Sequence, residues 1–125
     1  MPSEPLGVLL ISGSHERAHY ALVLATAAAA IGRPAILFAT NAGCHALADW
    51  HALDGAGRDG DIRALGVAGF AELRDAAAEL GVRLIACEAG LRIAGLDPSA
   101  LAPGIEVAGV VTFLAATQGG QIVTL

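Results

Sequence analysis

Lysine is absent from this 125-residue chain, and its seven basic residues are all arginine, at positions 17, 33, 58, 63, 74, 83 and 92. They are scattered and the formal net charge is −5, so no basic patch forms to neutralise a phosphate backbone. Nucleic acid is therefore excluded as an expected partner. Aromatic residues are scarce, at 4%, which leaves Ala, Val, Leu and Ile to build the core. The two cysteines, Cys44 and Cys87, are too few and too far apart for a disulfide scaffold. In a cytoplasmic protein both are expected to be reduced. Long apolar runs are missing as well. Residues 6–11 and 21–31 are both too short to cross a bilayer. The first residues lack the basic flank of a signal peptide. A soluble, cytoplasmic protein with no membrane partner is the expectation.

What is present points to a packed α/β domain. Hydrophobic residues make up 55% of the chain and charged residues 15%, more apolar surface than one small domain hides easily. Self-association is the natural cover for it. The length suits a single domain over residues 1–125. Residues 6–11 form a continuous apolar run between Pro5 and Ser12-Gly13-Ser14, the pattern of a buried strand. Ser14 is placed to cap an Ala-rich helix from His15 to Ile31, stopped by Gly32 and Pro34. Residues 35–40 read as a second strand, Asn41-Ala42-Gly43 as a turn and residues 44–48 as a short helix.

The periodicity dissolves from Asp49 to Gly66, which reads as a long, mobile loop. Helical spacing returns over residues 69–80, with Phe70, Leu73, Ala77 and Leu80 on one face. Residues 83–86 form a third strand, followed by a helix ending near Gly95. Asp97-Pro98 starts a short helix, residues 105–107 a fourth strand and residues 121–125 a closing one. Residues 108–116 are ambiguous between helix and strand. Strands alternating with helices need crossover connections, hence a parallel sheet. The expected fold is α/β: a three-layer α/β/α sandwich with a mainly parallel sheet of about five strands.

Ligands of such sheets gather beyond the carboxyl ends of the strands. Here those ends place Ser12, His15, Asn41, Cys44, Cys87 and Glu88 along one edge. Cys87 stands where a strand turns into a helix, and the positive end of a helix favours thiolate, the reactive form of the residue. A plain buried cysteine is the equally simple reading. Glu88 could bond a substrate, or could merely suit a first helical turn; its charge opposes a thiolate beside it. His15 and His19 share a helix face at metal-binding spacing, but no third ligand lies in sequence range; Cys44, His45 and His51 could complete a site only by folding, and no metal is expected. Ser12-Gly13-Ser14 matches neither a Walker loop nor a dinucleotide fingerprint, and no cofactor is expected.

The second half of the chain resembles the DsrE/DsrF-like sulfur-trafficking family. The resemblance rests on Phe70-Ala71-Glu72-Leu73, Leu80-Gly81-Val82, Ala86-Cys87-Glu88-Ala89-Gly90-Leu91, Gly95-Leu96 and the run from Val107 to Leu114. The first half agrees more loosely, through its strand, its Ala-rich helix and Phe38-Ala39-Thr40. The resemblance implies a persulfide carried on Cys87, taken from a donor protein and passed to an acceptor protein, by a sulfur carrier or sulfurtransferase. It also implies a homo-oligomer, trimeric or hexameric. Cys44 matches no motif and stays open as a second thiol. Two other functions compete: a non-catalytic ligand-binding or assembly module with Cys87 merely packed, and a redox sensor pairing Cys44 with Cys87.

Overall fold

Apolar five-residue segments lie at the centre of the fold. The computed structural model describes residues 4–125. Strands β1 (Leu6–Leu10), β2 (Ala35–Ala39) and β3 (Arg83–Cys87) form the middle of a five-stranded sheet. The short strands β4 (Glu106–Ala108) and β5 (Gln121–Thr124) close its two edges, in the order β4-β3-β2-β1-β5. Every pairing is parallel. The helices are α1 (His15–Ala30), α2 (Arg58–Ala64), α3 (Phe70–Glu79), α4 (Glu88–Ala94) and α5 (Val110–Ala116). Among the described residues, no helix is long and apolar enough to cross a membrane.

Alternation along the strands sorts side chains between the two faces of the sheet. Leu6, Val8 and Leu10 of β1, Leu37 of β2 and Leu84 of β3 face a large core with Leu22 of α1, Phe70 and Ala77 of α3 and Leu91 of α4. The buried stripe of α1 is largely alanine, at Ala18, Ala21, Ala25 and Ala28, which lets the helix lie close to β1 and β2. The opposite face carries Ile36, Phe38, Ile85 and Cys87, covered by Phe113 of α5. That helix comes so near that a side chain at Gly7 would run into Thr117 and the Phe113 ring. The layers are thus unequal. Four helices share one face and seven residues of α5 cover the other, leaving Val110, Val111 and Leu114 exposed.

Three expectations need correcting. Residues 49–66 are not a loop: a 3-10 turn spans Trp50–Leu53 and α2 follows. The Asp and Gly residues that suggested irregular chain are the caps. Asp54 accepts from the N–H groups of Arg58 (2.7 Å) and Asp59 (3.0 Å), so one carboxylate satisfies two orphan donors of α2. Leu80 is not part of the buried face of α3 but about half exposed, because the helix ends at Glu79 and the chain turns away into β3. Residues 41–47 form a 3-10 helix, earlier by a turn than the expected 44–48. The ambiguous residues 110–116 are helical, capped by Gly109.

Candidate functional site

Cys87 ends β3 and caps α4. Its backbone is extended (φ −68°, ψ 125°), which turns the side chain back over the first helical turn. There Sγ accepts the N–H of Gly90 at 3.3 Å. A serine or aspartate usually holds this cap position. An N–H aimed at sulfur is the partner that a thiolate or persulfide anion can use. The side chain is 9% exposed, at the margin of the smaller core with Phe38, Ile85 and Phe113.

Gly90 is what lets α4 dock here. A Cβ on it would collide with the Thr40 side chain and the Asn41 backbone nitrogen, so the first turn of α4 fits against the end of β2 only with glycine at that place. Asn41 has a left-handed backbone, φ 53°, the one non-glycine case among the described residues. Asparagine tolerates that conformation better than most residues, and its Oδ1 accepts the Thr40 hydroxyl at 3.2 Å. The 3-10 helix Asn41–Leu47 then carries Cys44 under the same sheet edge. Cys44 is fully buried in the larger core and its thiol donates to the Ala39 carbonyl at 3.5 Å. Burial pushes it up to about 11; the nearby Cys87 charge adds to the rise, and the Cys87 backbone N–H opposes it. Both thiols are free.

The other residues singled out from the sequence have different partners. Glu88 is exposed and pairs with Arg92 one turn on at 2.9 Å, so its charge is met by a guanidinium. The Ser12 hydroxyl accepts the Ser14 N–H at 3.0 Å and shapes the turn into α1. Ser14 caps α1 as expected, accepting from the Arg17 N–H. His15 is buried and turned to α2, where its Nε2–H donates to Asp59 Oδ1 at 2.9 Å. His19 stacks on His15 (ring centroids 5.6 Å apart) and donates to the Ala68 carbonyl at 2.9 Å. Among the described residues no three His, Cys, Asp or Glu side chains group as a metal site would need.

Asp59, which the sequence did not single out, is the hub of that second cluster. It also accepts the Phe70 N–H at 2.8 Å and so tethers the start of α3 to α1. Burial works against its charge. The His15 hydrogen bond, the Phe70 N–H and the adjacent His15 and His19 imidazoles outweigh it and hold the carboxyl below its ordinary value. Phe70 and Trp50 stack beside it at 5.2 Å. An aspartate in a Gly-rich stretch looks solvated in sequence, and nothing local marked it. Gly90 was more legible: a glycine inside a helical first turn, three positions after a cysteine, signals close approach.

Solved structures share this fold, among them two that match almost the whole chain. The protein of unknown function MTH1491 from Methanobacterium thermoautotrophicum superposes with a TM-score of 0.66 at 19% identity, over 98% of this chain and 100% of that one. The YchN protein from E. coli superposes with a TM-score of 0.72 at 15% identity, over 98% of this chain and 99% of that one. No curated protein matches the chain. Residues 59–125, more than half of the chain and including α4 with Cys87, match the model of the DsrE/DsrF/DrsH-like family, and the chain belongs to that family.

Proposed function

We propose that this protein is a sulfur carrier that holds sulfane sulfur as a persulfide on Cys87. The observation that carries the reading is the placement of Sγ at the β3–α4 junction, with the Gly90 N–H as its hydrogen-bond donor. Membership of the DsrE/DsrF/DrsH-like family supports sulfur relay in general terms. In the first step the Cys87 thiolate attacks the outer sulfur of a donor persulfide. A bond forms between Sγ and that sulfur, the donor S–S bond breaks, and the donor leaves as a thiolate. In the second step an acceptor thiolate attacks the same outer sulfur and Cys87 is released as thiolate. Electrons balance within each exchange and no oxidant is consumed. The partners are donor and acceptor proteins bearing thiols, and a reducing compartment such as the cytoplasm suits both free cysteines.

Loading with inorganic polysulfide followed by intact-mass measurement tests the reading. The wild type is expected to gain sulfur, reversibly by dithiothreitol, and Cys87→Ser to gain none. Equal adducts on both proteins would end it.

The second reading, an assembly or binding module with an inert Cys87, draws on the low exposure of that side chain. It requires slow alkylation of Cys87 in the native protein, whereas the carrier reading requires alkylation well before unfolding. A Cys44–Cys87 redox pair has less support, because the two sulfurs belong to separate cores and Cys44 is held as the neutral thiol.

The reading includes a homo-oligomer, trimer or hexamer. Residues 105–125 contain one charged residue, Glu106, and α5 exposes Val110, Val111 and Leu114. A face of that composition is one that copies of the chain would cover. Light scattering is expected to give a mass of three or six chains, reduced by Val111→Asp. A monomeric wild type at micromolar concentration would refute this part.

A further inference from the structure

Sulfur carriage by Cys87 depends on where α4 puts the Gly90 N–H, the group that donates to Sγ at 3.3 Å. That helix is seven residues long, too short to hold itself, and a glycine in its first turn weakens it further. Its first turn takes its position from what it leans on.

It leans on the end of β2. Ala39 pairs with Ala86, so the next step of the register sets Thr40 beside Cys87. The backbone at Thr40 is still extended (φ −137°, ψ 159°), and its N–H still donates to the Leu10 carbonyl of β1 at 2.9 Å. Asn41 then breaks away through its left-handed backbone (φ 53°), and the Gly43 N–H ties back to the Thr40 carbonyl at 3.0 Å. The break lays Thr40 Oγ1, Thr40 Cα and the Asn41 nitrogen against one face of Gly90. Oγ1 comes nearest, opposite the hydrogen that glycine carries where other residues have Cβ.

A threonine has two groups to offer at such a contact, and the methyl is the wider. Here Asn41 Oδ1 accepts the Thr40 hydroxyl at 3.2 Å, which holds the rotamer that turns Oγ1 to Gly90. An oxygen in that place accepts a weak Cα–H contact and lets the backbone come close. Gly90 is thereby joined on one side to Thr40 and on the other to the Cys87 sulfur.

We propose that Thr40 is a positioning residue for Cys87: its hydroxyl oxygen, held by the Asn41 carboxamide, seats the first turn of α4 where the Gly90 N–H meets Cys87 Sγ. This rests on the reading of Cys87 as the reacting thiol. Thr40 acts only through Gly90 and takes no part in the sulfur exchange. Serine keeps the oxygen and can replace it. Valine puts a methyl group against Gly90 and cannot.

The test is the pH profile of Cys87 alkylation by iodoacetamide, site-resolved by peptide mass, in the wild type, Thr40→Ser and Thr40→Val. Thr40→Ser is expected to keep the wild-type midpoint and a rate within about twofold. Thr40→Val is expected to raise the midpoint by about one pH unit and slow Cys87 about tenfold at neutral pH, the effect of losing one hydrogen bond to the charged sulfur. A wild-type profile for Thr40→Val, or the same loss in both variants, overturns the proposal. If the valine variant does not fold, Asn41→Gly decides, because glycine keeps the left-handed backbone and removes only the acceptor. A raised midpoint in that variant supports positioning, and an unchanged one overturns it. Failure of the carrier reading shows separately, as absent polysulfide loading on wild-type Cys87 while its alkylation midpoint still depends on residue 40.

Discussion

Asp59→Ala is expected to lower the unfolding free energy by about 3 kcal/mol, out of the ~5–15 kcal/mol typical of a single domain. The carboxylate accepts from His15 at 2.9 Å and from the Phe70 N–H at 2.8 Å. Both partners are buried, so removing it strands two donors away from water. His15 has no reserve, because its Nδ1 is already buried without a partner. The damage would spread along the chain, since the same side chain joins α1, α2 and the start of α3. Urea unfolding of the two proteins measures it. A difference below about 1 kcal/mol would mean that the cluster relaxes around the gap.

The same residue gives the stability a pH dependence of defined sign. Its folded value lies below the unfolded 3.8. Its contribution is therefore complete above that unfolded value and is lost as pH falls through the lower folded one. Wild-type stability should fall with acid in that window, and Asp59→Asn should show a shallower slope there. A steeper slope in the variant would reverse the sign and contradict the assignment.

Phe113→Ala is the second large effect, and it reads on the site as well as on the fold. Phe113 is 1% exposed and stacks on Phe38 with centroids 5.0 Å apart. It is also the main cover of the smaller core that contains Cys87. Truncation of a buried Phe costs about 3–5 kcal/mol, and the short α5 has little else to hold it. Opening this face should speed native-state alkylation of Cys87 while Cys44, on the far side of the sheet, stays slow. Equal acceleration of both thiols would mean global unfolding instead, and unchanged Cys87 would mean that Phe113 does not control access.

The contrast between these two residues shows where sequence reading reaches. Phe113 lay in a run that resembled the family, and the ambiguity there between helix and strand came from Val110, Val111 and Thr112, which favour strands as isolated residues. The helix wins because Gly7 lets its Phe113–Thr117 face settle on β1. Asp59 lay in a stretch whose composition resembled open loop. Its burial depends on a histidine 44 positions earlier, and no local window contains that information. The expectation of an irregular loop failed there because residues chosen as caps and residues of an unstructured loop have the same composition.

The sequence by itself determined the five strands, the alternation that makes the sheet parallel, the Ser14 cap of α1 and the position of Cys87 at a strand-to-helix switch. Each of these follows from the order and spacing of residues within a few turns of chain. Tertiary structure alone decided the strand order, which made β2 and β3 neighbours and brought Cys44 beneath the Cys87 turn. It decided too that His15 faces Asp59. Those outcomes depend on which faces pack together and on the fit allowed by single glycines, and packing partners far apart in the chain leave no local trace of one another.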